Sequence, residues 1–310
     1  MAAEVETMFY VRETPWHGLG VKVADALSSG EALKTAGLDW DVVQKPIYTD
    51  DWRKVSGYYA NVRDSDGTVL GVVSKRYRIV QNREAFAFTD GLVGRGVRYE
   101  TAGALRGGRK VWMLAKLPKP YRLSEDRVIP YIVFANSHDG SGSIKVAMTP
   151  VRVVCNNTLN LAISSAPRIW CAAHTGDMDG KLEDAQKTLF MAEDYMNELS
   201  KEMDRLGTKR VSDAAAQEYI RLILPIPDDA TEVTEANILK QRSDMESRFL
   251  YAPDLKDIGK NGYRFINAVS DFATHAKPLR ETKSFRENLF LKTVEGNPAI
   301  DKAYQLLCAA

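Results

Sequence analysis

The chain has 310 residues, enough for one large domain or two ordinary ones with complete hydrophobic cores. Its formal charge of +1 excludes a protein that binds nucleic acid through overall positive charge, so any electrostatic binding surface has to be local. No apolar run approaches the ~18 residues that span a bilayer, and three scattered cysteines do not make a disulfide framework, so we expect a protein of the reducing cytoplasm with no membrane partner.

The first half of the chain alternates between short helical patterns and runs of strand-forming residues. Ser28 stands three residues before Glu31, which is the capping-box spacing, and Gly37 ends the short helix that follows. A β-rich run extends from Trp40 to Tyr48. Asn82 is predicted to cap the next helix, which contains an apolar stripe.

Three β-hairpins are predicted from turn residues that separate strand-forming runs. The turns lie at 64–67 (DSDG), 106–109 (RGGR) and 138–143 (HDGSGS). Because the strands follow each other as hairpins and not as β–α–β units, we predict an α+β fold. In it an antiparallel meander of hairpins is packed with helices.

The second half of the chain is predicted to be mostly helical. We place the boundary at HTGDMDG, which gives an α+β domain at 1–175 and a helical domain at 176–310. Further helices are expected at 212–224, 234–249, 262–276 and 298–308, with Ser212 and Asn297 as caps.

A heptad-like seam marks one long helix at 181–206. Its apolar residues alternate at spacings of three and four: Leu182, Ala185, Leu189, Ala192, Met196, Leu199, Met203 and Leu206. One interpretation is a helix that joins subunits into a homo-oligomer. The other is a long helix packed on its own domain, since three heptads with alanines form a weak coiled coil alone.

The segment TPVRVVCNNTLNLAI, residues 149–163, has two interpretations. Cys155 could be a nucleophile assisted by His138 or His174, but strand alternation places Val151, Val153 and Cys155 on one face, which is typical of a small buried residue. The alternative is a strand that ends in a helix capped by Asn156 or Asn157. Such a helix N-terminus binds anions, and Lys145 and Arg152 could reinforce it.

The sequence gives little support for a metal site or for a phosphate-binding loop. Cys171 and His174 have a ligand-like spacing, but a zinc site would need a second such pair, so we predict no metal and no cofactor. The turn RGGRK lacks the GxxxxGK[ST] pattern. It is either a tight hairpin turn with solvated charges or a basic tip, Arg106, Arg109 and Lys110, that contacts phosphates while nearby Trp112 stacks on a base.

Several long motifs resemble one known family. They are WHGLG, VLGVVSKRYRIVQNREAF, AGALRGGRKVWMLAKLP, NSHDGSGSIKVAMTPVRVVCNNTLNLA and HTGD, and together they are similar to the phage/plasmid-like proteins known as domain of unknown function 932. The resemblance covers most of residues 9–200. It implies a mobile-element protein in a bacterial cytoplasm and supplies no catalytic residues.

The order of elements is also similar to that of phage single-strand annealing proteins, which assemble into rings or filaments with a basic groove. We therefore expect a non-catalytic, oligomeric protein that binds or anneals single-stranded DNA in recombination or replication. The alternative is a counter-defence protein that binds and inhibits a host restriction or immunity protein. The candidate nucleic-acid-binding residues are Arg106, Arg109, Lys110, Lys145, Arg152, Asn156, Asn157 and Trp112.

Overall fold

The computed structural model of the chain describes residues 5–11, 21–25, 27–93, 98–117, 120–123, 126–152, 169–190, 192–278 and 296–309. The strands are β1 Val5–Val11, β2 Val21–Val23, β3 Val42–Tyr48, β4 Lys54–Arg63, β5 Val69–Ser74, β6 Arg98–Leu105, β7 Lys110–Lys116, β8 Tyr121–Leu123, β9 Asp126–Ser137, β10 Ile144–Arg152 and β11 Ile169–Ala172. The helices are α1 Ser29–Thr35, α2 Asn82–Val93, α3 Met178–Phe190, α4 Ala192–Thr208, α5 Asp213–Ile223, α6 Glu232–Tyr251, α7 Gly262–His275 and α8 Pro298–Ala309.

Two sheets carry the strands. The larger has the order β11-β10-β9-β7-β6-β1-β2, with β8 paired to β9, and the smaller has the order β3-β4-β5. All pairings with a determined register are antiparallel except the short contact between β1 and β2. The predicted α+β class, with antiparallel hairpins and a mostly helical C-terminal region, is confirmed.

The main core lies on one face of the larger sheet. Alternate residues of neighbouring strands, among them Phe9, Tyr99, Met113, Phe134 and Ile144, are fully buried and form one cluster. Helices α1 and α2 supply further buried members of the same cluster, including Ala32 and Phe86. Helix burial against an antiparallel sheet therefore organises this part of the chain.

The chain divides into two compact units. The first comprises residues 1–118, 131–148 and 168–191, and the second comprises residues 119–130, 149–167 and 192–310. Helix α3 thus belongs to the first unit. The units interleave along the chain, and the predicted domains at 1–175 and 176–310 stay a prediction.

The second unit is built around α7. All of its residues from Gly262 to Ser270 are buried, and α7 packs against α4, α6 and α8. The predicted caps are confirmed: the Ser212 hydroxyl accepts from the Ala215 N–H at 3.2 Å, and the Asn297 side chain accepts from the Ala299 N–H at 3.0 Å. The four helices expected after residue 211 all form.

The heptad-like seam runs through α3 and α4, with residue 191 outside the described residues. Met196, Leu199, Met203 and Leu206 are fully buried, and α4 packs on α7 and β8 within its own unit. This burial favours the interpretation of a helix that packs on its own domain.

The three predicted hairpin turns form, whereas the predicted cap of α2 is wrong. Helix α2 begins at Asn82, so Gln81 occupies the capping position, and its N–H donates to the Glu84 carboxylate at 2.8 Å. The Asn82 side chain points inward and donates to the Leu38 carbonyl at 3.0 Å. Asn82 therefore fits the capping pattern in the sequence, but its side chain forms a buried hydrogen bond within the fold.

Candidate functional site

The predicted basic turn joins β6 to β7 and packs against the small sheet. Arg106, Gly107 and Gly108 all have positive φ, at 54°, 66° and 84°. Nη2 of Arg63, at the end of β4, donates to the Gly107 carbonyl at 3.0 Å, and a Cβ on Gly108 would lie 3.3 Å from the Trp40 ring. The glycines therefore admit this close approach, while the Arg109 side chain is exposed.

The other candidate residues differ in their surroundings, and three of their side chains lie outside the described residues. Trp112 lies in β7 and is only 8% exposed, which leaves little ring surface for a base. Lys145 is half-buried in β10, opposite Cys171 of β11. Arg152 ends β10, but its side chain, like Cys155, Asn156 and Asn157, lies outside the described residues. The nucleic-acid role of all these residues stays a prediction.

A buried polar cluster occupies the turn between β9 and β10. His138 is fully buried, and its Nε2 lies 3.0 Å from the Oδ1 of Asn82. Because the Asn82 amide nitrogen donates to Leu38, its Oδ1 accepts and the His138 proton sits on Nε2. Asn61 of β4 donates to the His138 carbonyl at 2.7 Å. Burial lowers the pKa of His138 to about 3, so the ring is neutral at physiological pH.

His174 joins the same region from the HTGD motif. Its ring stacks on Tyr77 with 4.5 Å between centroids, and its Nδ1 donates to the Arg78 carbonyl at 2.9 Å. The Tyr77 hydroxyl donates to the Ser137 carbonyl at 2.6 Å, and burial lowers the pKa of His174. Both histidines are closed off from solvent, so this cluster fixes three segments together and offers no access for a substrate.

The outer face of the small sheet is a surface of a different kind. Val43 lies opposite Val62, Lys45 opposite Ala60 and Ala60 opposite Val72, so these side chains share one face, on which Val62 is buried. On the other face, Val42, Asn61 and Arg63 are buried. A solvated sheet face normally carries polar residues. This one carries exposed valines, among them Val72 at 58% exposure.

Aromatic rings are exposed at the end of this sheet where β3 turns into β4. Trp52 lies in the turn with φ 61° and is 83% exposed. Its ring centroid is 6.3 Å from that of Tyr48, and Tyr58 of β4 is 51% exposed. A bulky residue in left-handed backbone geometry with almost all of its ring in solvent is unfavourable for the free chain.

Basic residues lie in or next to the strands and the turn that carry these rings. Tyr48 lies opposite Lys54 in the sheet, and the Lys75 N–H donates to the Gly57 carbonyl, next to Tyr58, at 2.8 Å. The β3–β5 region at this end carries five basic residues against two acidic ones, and one of those acids, Asp51, pairs with Arg53 at 2.7 Å. The basic residues are Lys45, Arg53, Lys54, Lys75 and Arg76.

We refer to the exposed residues of this sheet and its turn as the small-sheet surface. It comprises Val43, Lys45, Tyr48, Trp52, Arg53, Lys54, Tyr58, Val69, Val72, Lys75 and Arg76. Its aromatic turn, with Trp52 and Lys54, lies at the opposite end of β4 from Arg63 and the basic turn, roughly 30 Å away at about 3.3 Å per residue. Val43 and Val69 instead pair with Val62, next to Arg63.

The comparisons with known proteins give a family and nothing beyond it. The family model described as Domain of unknown function (DUF932) matches residues 69–293. The chain belongs to the DUF932 family. No curated protein and no solved structure matches this DUF932 chain significantly.

Among the residues that the structure describes, this DUF932 chain has neither a candidate metal cluster nor a helix that could cross a membrane. Within the described ranges, no group of three or more His, Cys, Asp or Glu side chains could hold a metal ion. Cys171 is exposed and His174 is buried, so these two candidate ligands lie in different surroundings. No described helix has both the length and the apolar character needed to cross a membrane.

Sequence reasoning missed the small-sheet surface because apolar character does not separate its exposed from its buried positions. Along β4, exposed Tyr58 and buried Val62 belong to the same alternation set, whereas buried Asn61 and Arg63 are polar. One signal was present in the sequence. A tryptophan within TDDWR is a bulky aromatic residue among turn-forming ones.

Proposed function

We propose that this DUF932 protein binds single-stranded nucleic acid on the small-sheet surface. The observation that carries the proposal is the exposed pair of Trp52 and Tyr48, whose ring centroids are 6.3 Å apart, together with exposed Tyr58 of β4 and the basic residues Lys54 and Lys75 of the same sheet region. Exposed aromatic rings on a sheet stack on unpaired bases, and neighbouring cations hold the phosphates. In a duplex the base faces are already stacked, so single strands are the favoured ligand.

The proposed function is the one expected from the sequence, but the proposed binding surface is the small-sheet surface and not the basic turn. The protein would act without catalysis in recombination or replication of a phage or plasmid within the bacterial cytoplasm. A near-neutral chain is compatible with this role because the cations are concentrated locally. The basic turn with Arg106, Arg109 and Lys110 is a separate candidate contact, and one experiment can distinguish the two.

The test is fluorescence anisotropy with a labelled single strand and the matching duplex. If three or four phosphates are contacted, affinity for the single strand falls about 20- to 50-fold between 50 and 200 mM salt. Trp52→Ala should weaken binding by about 5- to 150-fold, which corresponds to the ~1–3 kcal/mol of one stacked base, and Trp52→Phe should retain part of it.

Three charge variants locate the surface. Lys54→Ala/Lys75→Ala should reduce both the affinity and its salt dependence. Lys240→Ala/Lys256→Ala is the matched control, since both lysines are exposed in the second unit. If Arg106→Ala/Arg109→Ala abolishes binding and Trp52→Ala does not, the basic turn is the site. Flat anisotropy over the whole range from nanomolar to micromolar protein contradicts nucleic-acid binding altogether.

The exposed valines favour one alternative, a protein partner. Val43, Val69 and Val72 form an apolar patch of the kind that marks interaction surfaces. A counter-defence protein that binds a host restriction or immunity protein would use such a patch. It predicts no useful affinity for bare nucleic acid and capture of one defined host protein, which Val72→Asp abolishes.

A further inference from the structure

The exposed apolar side chains of the described residues are concentrated in two places. Of eleven large exposed hydrophobic residues, six belong to the small-sheet surface. Three others, Leu222, Val233 and Leu239, lie where α5 ends and α6 begins. Scattered single residues would need no explanation, but two such groups do.

The second group lies at the tip of a helical hairpin. Helices α5 and α6 run antiparallel, with the Gln217 amide donating to Glu246 at 2.7 Å and Arg242 Nε donating to the Leu224 carbonyl at 2.9 Å. The first turn of α6, residues 232–236, is exposed on all sides. We call this end the α5–α6 tip, and it comprises Leu222, Asp228, Asp229, Glu232, Val233, Glu235 and Leu239.

The α5–α6 tip is acidic, whereas the small-sheet surface is basic. Asp228, Asp229, Glu232 and Glu235 are all exposed. Favourable interaction with the helix dipole explains Glu232 and Glu235 in the first turn of α6. It does not explain why Val233 and Leu239 are exposed among them. Apolar side chains beside a cluster of one sign of charge fit a partner with apolar side chains beside a cluster of the opposite sign.

We propose that the α5–α6 tip of one copy of this chain docks on the small-sheet surface of a second copy. Valines and aromatic rings would pack on Leu222, Val233 and Leu239, and Lys54 and Lys75 would face Asp229 and Glu235. The two patches differ, so the contact is heterologous and each copy keeps one patch free for a further copy. Association would therefore grow with protein concentration into longer chains or a ring.

This inference rests on the proposed function in one respect, because the same surface is assigned to nucleic acid. The acidic tip would occupy the site in place of phosphates, so the self-associated protein would be closed to single strands. Nucleic acid and self-association would then exclude each other at the small-sheet surface.

Charge reversal on each side tests the contact, with mass photometry and sedimentation velocity at 50 mM salt. Wild type should associate between micromolar and tens of micromolar protein and dissociate in high salt. Asp229→Lys/Glu235→Lys alone and Lys54→Glu/Lys75→Glu alone should each remain monomeric. Mixed together, the two variants should associate again, since each then offers a patch complementary to the other.

A control and the contrary outcomes complete the test. Asp204→Lys, an exposed change on α4, should associate like wild type. A monomeric wild type at all concentrations overturns the inference, and so does association that both reversals leave unchanged. Anisotropy at nanomolar protein, where the chain is monomeric, separates the two proposals. Asp229→Lys/Glu235→Lys should bind the single strand with the affinity of wild type. If wild type does not bind the strand, the result contradicts the proposed function and leaves the self-association intact.

Discussion

His138 shows how one buried ring connects the fold to pH. The unfolded chain binds a proton there near pH 6.5, whereas burial lowers the pKa in the folded chain to about 3. Between these values the unfolded state holds the extra proton, so acidification lowers the free energy of unfolding by up to about 1.4 kcal/mol per pH unit. The depressed pKa of His174 acts in the same direction.

The corresponding experiment is chemical denaturation from pH 7.5 to 4.5. His138→Gln keeps a donor for Asn82 but cannot titrate, so its free energy of unfolding should fall less steeply with acid than that of wild type. At pH 7.5 the variant should be the less stable of the two. Equal pH dependence in both proteins would show that His138 is not the group being protonated.

Arg264 is a second residue whose role is local and strong. Its guanidinium is buried at the start of α7 and donates to four backbone carbonyls at 2.6–2.9 Å, those of Phe249, Leu250, Leu255 and Ile258. Arg264→Ala should lower the free energy of unfolding by at least about 3 kcal/mol, since each buried carbonyl without a donor costs about 1–3 kcal/mol.

Two companion variants make the Arg264 prediction specific. Arg264→Lys has too few donors in the right positions and should fall between alanine and wild type. Arg221→Ala removes an exposed arginine that pairs with Glu218 at 3.3 Å, and the change should stay within about 0.5 kcal/mol. A similar loss for Arg264→Ala and Arg221→Ala in urea denaturation would contradict the role assigned to Arg264.

At the scale of elements, the sequence predicted the turns and caps that depend only on neighbouring residues. The turns at 64–67 and 106–109 depend on glycines with positive φ, and the α5 cap depends on Ser212. The pairing of β1 with β6 depends on residues about ninety positions apart, such as Thr101, whose hydroxyl donates to the Phe9 carbonyl at 2.7 Å. No local pattern specifies that pairing, and β1 was missed.

The same reason explains why the candidate surface was missed. A basic turn can be recognised from the sequence alone, so Arg106, Arg109 and Lys110 were identified as candidates. Which face of β4 lies inward depends on Asn61 reaching His138, 77 residues away, and that contact exists only in the folded chain. Buried Asn61 and Arg63 together with exposed Val43 and Val72 depart from the polar-out, apolar-in rule from which sequence reasoning starts.

The contact between β5 and the β9–β10 turn can be tested with one methyl group. A Cβ on Gly71 would lie 2.5 Å from the Asp139 Cα and 2.7 Å from its carbonyl oxygen, so Gly71→Ala forces the backbone apart. We expect a loss of about 1–3 kcal/mol in the free energy of unfolding, which is typical of overpacking.

Gly30→Ala is the matched control for Gly71→Ala. Gly30 lies in α1, and a Cβ added there would meet no atom within 4 Å, so alanine should be neutral or stabilise the helix by up to about 1 kcal/mol. Opposite signs for the two glycines in thermal or urea denaturation are the expected result. A tolerated Gly71→Ala would mean that β5 and the turn separate without cost.

At the scale of the whole molecule, a formal charge of +1 conceals two exposed surfaces of opposite sign. If the small-sheet surface binds either a single strand or the α5–α6 tip of another copy, the two equilibria are linked by mass action. Raising the protein concentration should weaken the apparent affinity for nucleic acid, since self-association removes free sites. Adding a single strand should in turn dissociate the assembled protein.

The linkage is measured by sedimentation velocity on samples of micromolar protein that contain increasing concentrations of an unlabelled single strand. Wild type should shift from assembled species to monomers bound to nucleic acid, at a strand concentration that rises with total protein. Asp229→Lys/Glu235→Lys should show one monomeric species throughout and an affinity independent of protein concentration. If strands instead bind the assembled protein and leave its assembly state intact, nucleic acid and the α5–α6 tip occupy different surfaces, and the exposed aromatic group around Trp52 serves only one of them.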